Sequence, residues 1–168
     1  MREKYQRMCY KDHTKVLIHS GLRDSEVADR CRTLLEFQAE CFEGLGRDIS
    51  NSFREGDRKR ASAACEKFSG AFAPSCIAGH AYALVDNAGD GSIAFRFCDS
   101  LQEEKNRQDC FRMSGKYLAT LHEIPRSDLL STCRATTDNS ALCEREAKRA
   151  TAGLVGQLFF AVLDLLGK

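Results

Sequence analysis

Apolar residues of this 168-residue chain recur in a fixed register behind four of five regularly spaced cysteines. Positions one and eight residues after each cysteine are apolar, except at the end of the series, and such positions lie on one side of a helix. A glycine or alanine five residues after the three middle cysteines lets a neighbouring helix come close. The apolar positions are Tyr10 and Leu17, Phe42 and Ile49, Ile77 and Leu84, and Phe111 and Leu118; Glu144 and Thr151 are the exceptions, and Gly46, Ala81 and Gly115 are the small residues.

The cysteines also set the length of the repeat. Apart from Cys9, they form four pairs, and the leading members of these pairs are 34, 33 and 35 residues apart. The trailing members, with Cys9 placed at their head, are 32, 35, 34 and 33 residues apart. A period near 34 is typical of αα-hairpin repeats, in which two helices form one unit.

Breaks between the paired cysteines indicate two helices in each unit. Pro74 disfavours helix at Ala73, and residues 136–140 have turn and capping chemistry. We therefore predict an all-α solenoid of about four αα-hairpin repeats, wound as a right-handed superhelix, in a single domain over residues 1–168. The four predicted units are 24–54, 57–88, 90–122 and 125–168, preceded by a half unit, 1–20. The first helices of the units are predicted at 24–35, 57–68, 90–101 and 125–135. The second helices are predicted at 39–53, 74–87, 104–122 and 140–166, and the half unit holds a lone second helix at 3–19.

Each leading cysteine falls near the end of a first helix and each trailing cysteine near the start of a second. These positions face each other across the turn of a hairpin, where a disulfide is geometrically easy. Closing a loop of about 10–15 residues contributes about 3 kcal/mol in the chain-entropy model. We predict the disulfides Cys31–Cys41, Cys65–Cys76, Cys98–Cys110 and Cys133–Cys143, with Cys9 unpaired or bonded to another chain.

Composition narrows the class of protein. The apolar fraction is 43%, the charged fraction 29% and the net charge +1, so no overall field attracts nucleic acid or an anionic membrane. Nine cysteines are many for a cytosolic protein and favour an oxidising compartment. The first thirteen residues are charged and lack the apolar segment of a secretory signal, so we expect Met1 to begin a mature or trimmed fragment. No run reaches the roughly 18 apolar residues of a membrane span.

The four cysteine pairs, with the small residues Gly44, Gly46, Gly79 and Gly115, resemble the tetratricopeptide-like solenoid superfamily, and especially its secreted, cysteine-rich bacterial members. Those proteins join the two helices of every unit by one disulfide. The resemblance implies a periplasmic or secreted protein that offers a concave surface to a protein partner.

A second resemblance competes with the first. The nine-residue gaps in the first and fourth pairs resemble the twin Cys-x9-Cys hairpins of the mitochondrial intermembrane space, where both cysteines of a motif lie on one helix and pair with those of the next. That resemblance implies an assembly protein of this compartment. Pro74, the break at 136–140 and the longer gaps in the two middle pairs argue against it.

Few residues suggest chemistry. Cys9 and His13 lie one helical turn apart, but tetrahedral zinc needs two further ligands, and we interpret Cys9 as structural. Residues 86–91 favour a helix-to-helix turn over a calcium loop, and His80 is expected to face a neighbouring helix. We predict no catalytic, cofactor or metal site; a hydrolase on this frame would have to use scattered residues such as His80, Ser114 or Glu144.

The predicted function is that of a non-catalytic protein-binding or scaffold module, a subunit or fragment of an extracytoplasmic assembly. The alternatives are an extracytoplasmic hydrolase and the intermembrane-space assembly protein. Partner contact is expected on the concave face, on a basic cluster at 54–60, or on the apolar tail 152–166. Three interpretations of the tail are open: it closes the core, it docks on another subunit, or it touches a membrane. Nucleic acid and membrane partners are disfavoured. The partner candidates are Arg58, Lys59, Arg60, Leu154, Leu158, Phe159, Phe160, Val162 and Leu163.

Overall fold

A computed structural model of the chain describes residues 2–51, 58–89 and 91–152, and over these residues the protein is all-helical, without strands. The helices that correspond to the predicted second helices are α1 (Arg2–His19), α3 (Gln38–Asn51), α5 (Ala73–Ala88), α7 (Glu104–Leu121) and α9 (Ser140–Ala150), and we keep the names first and second helix for the two sets. The first helices are α2 (Asp24–Arg32), α4 (Arg58–Ala63), α6 (Ser92–Ser100) and α8 (Arg126–Thr136); α4 continues into a π-helical turn, Ala64–Phe68, and a 3₁₀ turn, Gly70–Phe72.

The helix bounds agree with the predicted ones at most ends and differ at three. The first helix of unit one ends at Arg32 and not at 35, and Thr33 caps it. The helix predicted at 57–68 is interrupted, because α gives way to π geometry at Ala64. The helix predicted at 140–166 is interrupted after Ala150, where the Thr151 hydroxyl donates to the Ala147 carbonyl oxygen at 2.9 Å; residues 153–166 of that prediction lie outside the described part of the chain. Side chains such as threonine that bond back to the backbone weaken helix continuation.

The described helices pack in two rows. The second helices follow one another, α1 on α3, α3 on α5, α5 on α7 and α7 on α9. The first helices form a parallel set of contacts, α2 with the π-helical turn, α4 with α6, and α6 with α8. Each first helix, or the π turn that continues it, also packs on the second helix of its own unit.

The core lies between the two rows. Five of the predicted apolar positions, Phe42, Ile49, Ile77, Phe111 and Leu118, are at most 1% exposed. Aromatic rings join successive units as well. The ring of Tyr10 stacks on that of Phe37, with centroids 4.7 Å apart, and Phe42 stacks on Phe72 at 5.1 Å. The register that predicts the helices therefore also predicts part of the core.

The four disulfides join the cysteines of each predicted pair, Cys31–Cys41, Cys65–Cys76, Cys98–Cys110 and Cys133–Cys143. Their Cα–Cα distances are 5.5, 5.2, 5.4 and 5.6 Å, the usual range for a disulfide. Each bond therefore closes one hairpin. A twin Cys-x9-Cys protein would instead link one pair to the next.

Glycines set the spacing of the second helices. A β-carbon on Gly46 would overlap the carbonyl oxygen of Cys76, and one on Gly79 would overlap that of Glu43. Gly44 meets the Lys11 carbonyl oxygen in the same way. Because no side chain separates them, α1, α3 and α5 approach to backbone contact.

A charged residue directly after each of the first three leading cysteines reaches the next unit. The carboxylate of Glu66 accepts hydrogen bonds from the backbone N–H groups of Gln102, at 2.9 Å, and Glu103, at 3.1 Å. Asp99 accepts in the same way from the N–H groups of Asp138, at 2.9 Å, and Asn139, at 3.3 Å. Both carboxylates cap the start of the following second helix, where backbone donors lack helical partners.

Arg32 occupies the same position in the first unit and has the opposite charge. Its guanidinium donates to the carbonyl oxygen of Phe68, in the corresponding turn of the second unit. A carboxylate meets backbone donors and a guanidinium meets a backbone acceptor, so the charge at this position matches the groups of the turn that it contacts. We call Arg32, Glu66 and Asp99 the inter-unit clamps.

Candidate protein-binding groove

An open groove runs across four successive second helices, α1, α3, α5 and α7. Its lining residues stand two, three, six or seven positions after the trailing cysteines, on the side of these helices turned away from the core. The groove has a volume of about 330 Å³ and is lined by Lys11, Glu43, Gly44, Arg47, Gly79, Tyr82 and Tyr117.

Two glycines shape the groove. Gly44 and Gly79 stand at the same repeat position of α3 and α5, and each meets a backbone carbonyl of the preceding second helix. The helices therefore lie close together, and the missing side chains leave a depression between the residues on either side. The absence of side chains at Gly44 and Gly79 therefore explains both the close packing of the helices and the shape of the groove.

Charges of both signs line the end of the groove at α1 and α3. The ammonium of Lys11 lies 2.7 Å from a carboxylate oxygen of Glu43. The guanidinium of Arg47 donates to the Asp12 carboxylate at 2.8 Å and to the Lys11 carbonyl oxygen at 2.9 Å. Because these charges have partners of opposite sign nearby, the groove offers polar contacts rather than a strong field of one sign.

A buried carboxylate lies under this charged end. Asp48 is 5% exposed, and Thr14 of α1 donates its hydroxyl hydrogen bond to Asp48 at 2.6 Å. Burial raises the pKa of Asp48, while Thr14 and Arg47 oppose that shift. The pair fixes α3 against α1 and so holds the groove charges in place.

Two tyrosines form the other end of the groove. Tyr82 of α5 is 39% exposed, and its ring meets that of Tyr117 edge-on, with centroids 5.2 Å apart. Burial raises the pKa of Tyr117, and Glu43 and Tyr82 add to the shift. Tyrosine combines an apolar ring with a polar tip and is enriched where proteins bind one another.

The structure separates the residues that suggest chemistry. Cys9 is an exposed free thiol, and His13 is exposed beside it on α1. No cluster of three or more His, Cys, Asp or Glu side chains suited to a metal occurs in the described part of the chain.

His80 faces the neighbouring helix, as predicted. It is 3% exposed, its Nδ1 lies 3.1 Å from the Gly46 carbonyl oxygen, and its ring lies 4.2 Å from that of Phe97, centroid to centroid. Since a carbonyl accepts, Nδ1 carries the proton and donates. Burial lowers the pKa of His80 to about 4, so the ring is neutral near pH 7 and serves packing.

The other residues considered for a hydrolase have separate surroundings. Ser114 is buried on α7, with its hydroxyl oxygen 3.5 Å from the sulfur of Cys98. Glu144 on α9 pairs with Arg134 at 3.1 Å and with Lys148 at 3.5 Å. Together with His80 these side chains lie on three helices with different partners and form no nucleophile–base–acid chain.

The turn predicted at 86–91 joins two helices. Gly89 ends α5 with φ 71°, and Gly91 precedes α6 with φ 77°. Glycine suits both positions because left-handed backbone strains other residues. Asp90 lies outside the described residues.

The predicted partner residues lie mostly outside the described part of the chain. Arg58, Lys59 and Arg60 begin α4, but only their backbone is described. The tail candidates Leu154, Leu158, Phe159, Phe160, Val162 and Leu163 fall beyond residue 152. Among the described helices none has the length and apolar character to cross a membrane.

Sequence reasoning missed the groove, although a signal exists. Lys11 and Glu43 share the position two residues after a trailing cysteine, and Arg47 and Tyr82 share the position six after. Polar and aromatic residues at equivalent positions of a repeat mark a common surface. The clamps have a similar signal, since every leading cysteine is followed by a charged residue.

Comparison with protein-family models, with curated proteins and with solved structures gives no match to this chain. The assignment of a function therefore rests on the geometry of the chain itself.

Proposed function

We propose that this chain is a disulfide-stapled solenoid of αα-hairpins that serves as a non-catalytic protein-binding or scaffold module. The two rows of helices, one disulfide in each hairpin, and the clamps between units support the architecture. Each unit contacts its neighbours through equivalent positions, as repeat proteins do. The tetratricopeptide-like resemblance and the concave binding face belong to this proposal.

The groove across α1, α3, α5 and α7 is the observation that carries the proposal. It is open, it extends over four helices, and it combines Tyr82 and Tyr117 with Lys11, Glu43 and Arg47. Aromatic anchors with polar groups around them are typical of surfaces that bind proteins. An extended segment or loop of a partner protein matches this shape better than a small substrate, which needs an enclosed pocket.

The disulfides support an oxidising environment, in which such bonds persist. We propose an extracytoplasmic location, periplasmic or secreted. The mitochondrial intermembrane space also oxidises thiols, but the pairing within units, illustrated by Cys31–Cys41 and Cys133–Cys143, differs from the twin-motif pattern.

A photo-crosslinking amino acid in the groove tests the proposal. We place p-benzoylphenylalanine at Tyr82 in producing cells and, as a control, at Leu35, an apolar residue that is 96% exposed away from the groove. A third variant carries the crosslinker at Phe159 of the tail. We expect a discrete protein adduct from position 82 that position 35 does not give, and we expect Arg47→Ala with Tyr117→Ala to abolish it.

Three results would contradict the proposed function. Adducts from position 159 with none from position 82 would move the partner surface to the tail. Equal adducts from positions 82 and 35 would show contact without specificity. Hydrolysis of peptide or ester substrates that Ser114→Ala removes would replace the binding function by an enzymatic one.

A further inference from the structure

One face of α1 differs from the matching face of the next second helices. Tyr5, Met8 and Val16 are 64%, 52% and 63% exposed, and they are three of the six exposed large apolar side chains in the described part of the chain. Cys9 and Asp12 are exposed on the same side, since spacings of three, four and seven residues share one helix face. We name these five residues the α1 outer face.

In α3 the matching face is covered. Glu40, Gly44 and Asp48, which correspond to Met8 and two further positions of the outer face, are buried. Gly44 meets the Lys11 backbone, and Asp48 accepts the hydrogen bond of Thr14. This is the face with which α3 packs on the preceding second helix, α1.

The same holds for α5. Gly79 and Ala83 are buried at the corresponding positions, and Gly79 meets the backbone of Glu43 on α3. The α1 outer face therefore continues an interface of the row. No other described helix covers it, and it carries large apolar side chains where α3 and α5 carry small or polar ones.

Cys9 lies within this face, with Tyr5 and Met8 before it and Val16 after it. The other eight cysteines are all in disulfides. A second copy of the chain can therefore offer one free thiol, its own Cys9. In a two-fold dimer each copy uses the same patch, and a residue near the axis meets its own counterpart.

We propose that two copies of the chain pair through the α1 outer face, with the α1 helices crossing at Cys9 and joined by a Cys9–Cys9 disulfide. A disulfide oxidant such as glutathione disulfide drives the bond. One Cys9 thiolate attacks the oxidant and releases a thiol; the second thiolate attacks the resulting mixed disulfide and releases another. Two electrons reduce the oxidant, and the protons of the two Cys9 thiols pass to the released thiols.

The dimer leaves the groove accessible. Lys11, which lines the groove, points to a different side of α1 from Cys9, because two residues differ by about 200° around a helix. Asp12 of the outer face contacts Arg47 at the edge of the groove. The dimer test, however, changes only Tyr5, Val16 and Cys9, none of which lines the groove, so either proposal can fail without the other.

The test measures dimer formation by the full chain in glutathione redox buffer. Non-reducing electrophoresis and light scattering give the mass, and peptide mapping identifies the linkage. We expect a dimer linked through Cys9. Tyr5→Lys with Val16→Lys should reduce its yield at least tenfold, whereas the control, Leu35→Lys with Leu121→Lys, adds the same charge at other exposed apolar sites and should dimerise like the unmodified chain.

Two further measurements separate interface from misfolding. The four hairpin disulfides and the far-ultraviolet circular dichroism should be unchanged in both double variants. Cys9→Ser should keep a reversible dimer in sedimentation equilibrium. Any one of three results would overturn the proposal. The unmodified chain could stay monomeric with Cys9 capped by glutathione, or the Tyr5→Lys, Val16→Lys variant could dimerise like its control. The third is a Cys9→Ser chain that is strictly monomeric.

Discussion

Gly46 of α3 and Gly115 of α7 stand at the same position, five residues after a trailing cysteine, but the neighbouring helix leaves them different amounts of space. At α3–α5, Gly46 and Gly79 bring each helix against a backbone carbonyl of the other. At α7–α9, Gly115 faces Ala147, and a β-carbon there would stand 3.3 Å from the Ala147 α-carbon. The first crossing has no space for a methyl group and the second nearly has it. Equivalent glycines in a repeat thus carry different structural constraints.

The largest expected effect comes from Gly46→Ala. The added methyl overlaps the Cys76 carbonyl oxygen, so α3 and α5 must separate, and we expect a loss of about 3–4 kcal/mol of unfolding free energy, above the usual cost of overpacking. Gly115→Ala should change the unfolding free energy by less than about 1 kcal/mol, because the gain in helix propensity offsets the tight contact of the new methyl group with Ala147. Urea unfolding with disulfides intact measures both, and equal losses would show that the two crossings are alike.

His80 adds a pH dependence to the tighter crossing. Its pKa is about 4 in the folded chain, against the 6.5 of a histidine in water, so the unfolded chain binds the proton more readily. The contribution of His80 to the unfolding free energy is therefore fully present above pH 6.5. It is lost as the pH falls toward 4, and the total loss is about 3 kcal/mol. The measurement is the difference between the unmodified chain and His80→Gln in urea unfolding between pH 7 and pH 4. If the unfolding free energies of the two proteins changed equally with pH, His80 would not be the source of this pH dependence.

The smallest expected effect concerns the clamps. Glu66→Ala leaves the N–H groups of Gln102 and Glu103 without their carboxylate, and we expect a loss of about 1–2 kcal/mol, the usual cost of removing a helix cap. Asp99→Ala should cost a similar amount at the next junction. Thr120→Ala, at an exposed site whose hydroxyl bonds only within α7, is the control. Thermal unfolding compares the three variants. A clamp variant as stable as the control would show that the clamps do not stabilise the fold.

Much of the fold follows from the sequence. The pairing of Cys65 with Cys76 and the burial of Phe42 and Ile77 follow from the recurrence of the cysteines and of the apolar positions behind them. The turn with Gly89 and Gly91 follows from its local sequence. The predictions that failed are also local: the π turn at Cys65 and the end of α9 at Ala150 depend on backbone geometry that composition leaves open.

The groove and the clamps required the structure. Tyr82 and Tyr117 stand 35 residues apart in the sequence, and their rings meet only because α5 and α7 pack side by side. Glu66 needs the start of α7, 36 residues away, in a definite orientation.

By itself, the sequence determined the period, the disulfide partners, most of the helices and part of the core, because disulfide geometry, helix periodicity and turn chemistry act over short stretches of chain. The tertiary structure decided how closely successive units approach and which surface residues meet. The close approach at Gly46 and Gly79, the groove, and the exposed face of α1 depend on the rotation and translation from one unit to the next. Contacts between units set that relation, and no single repeat encodes it.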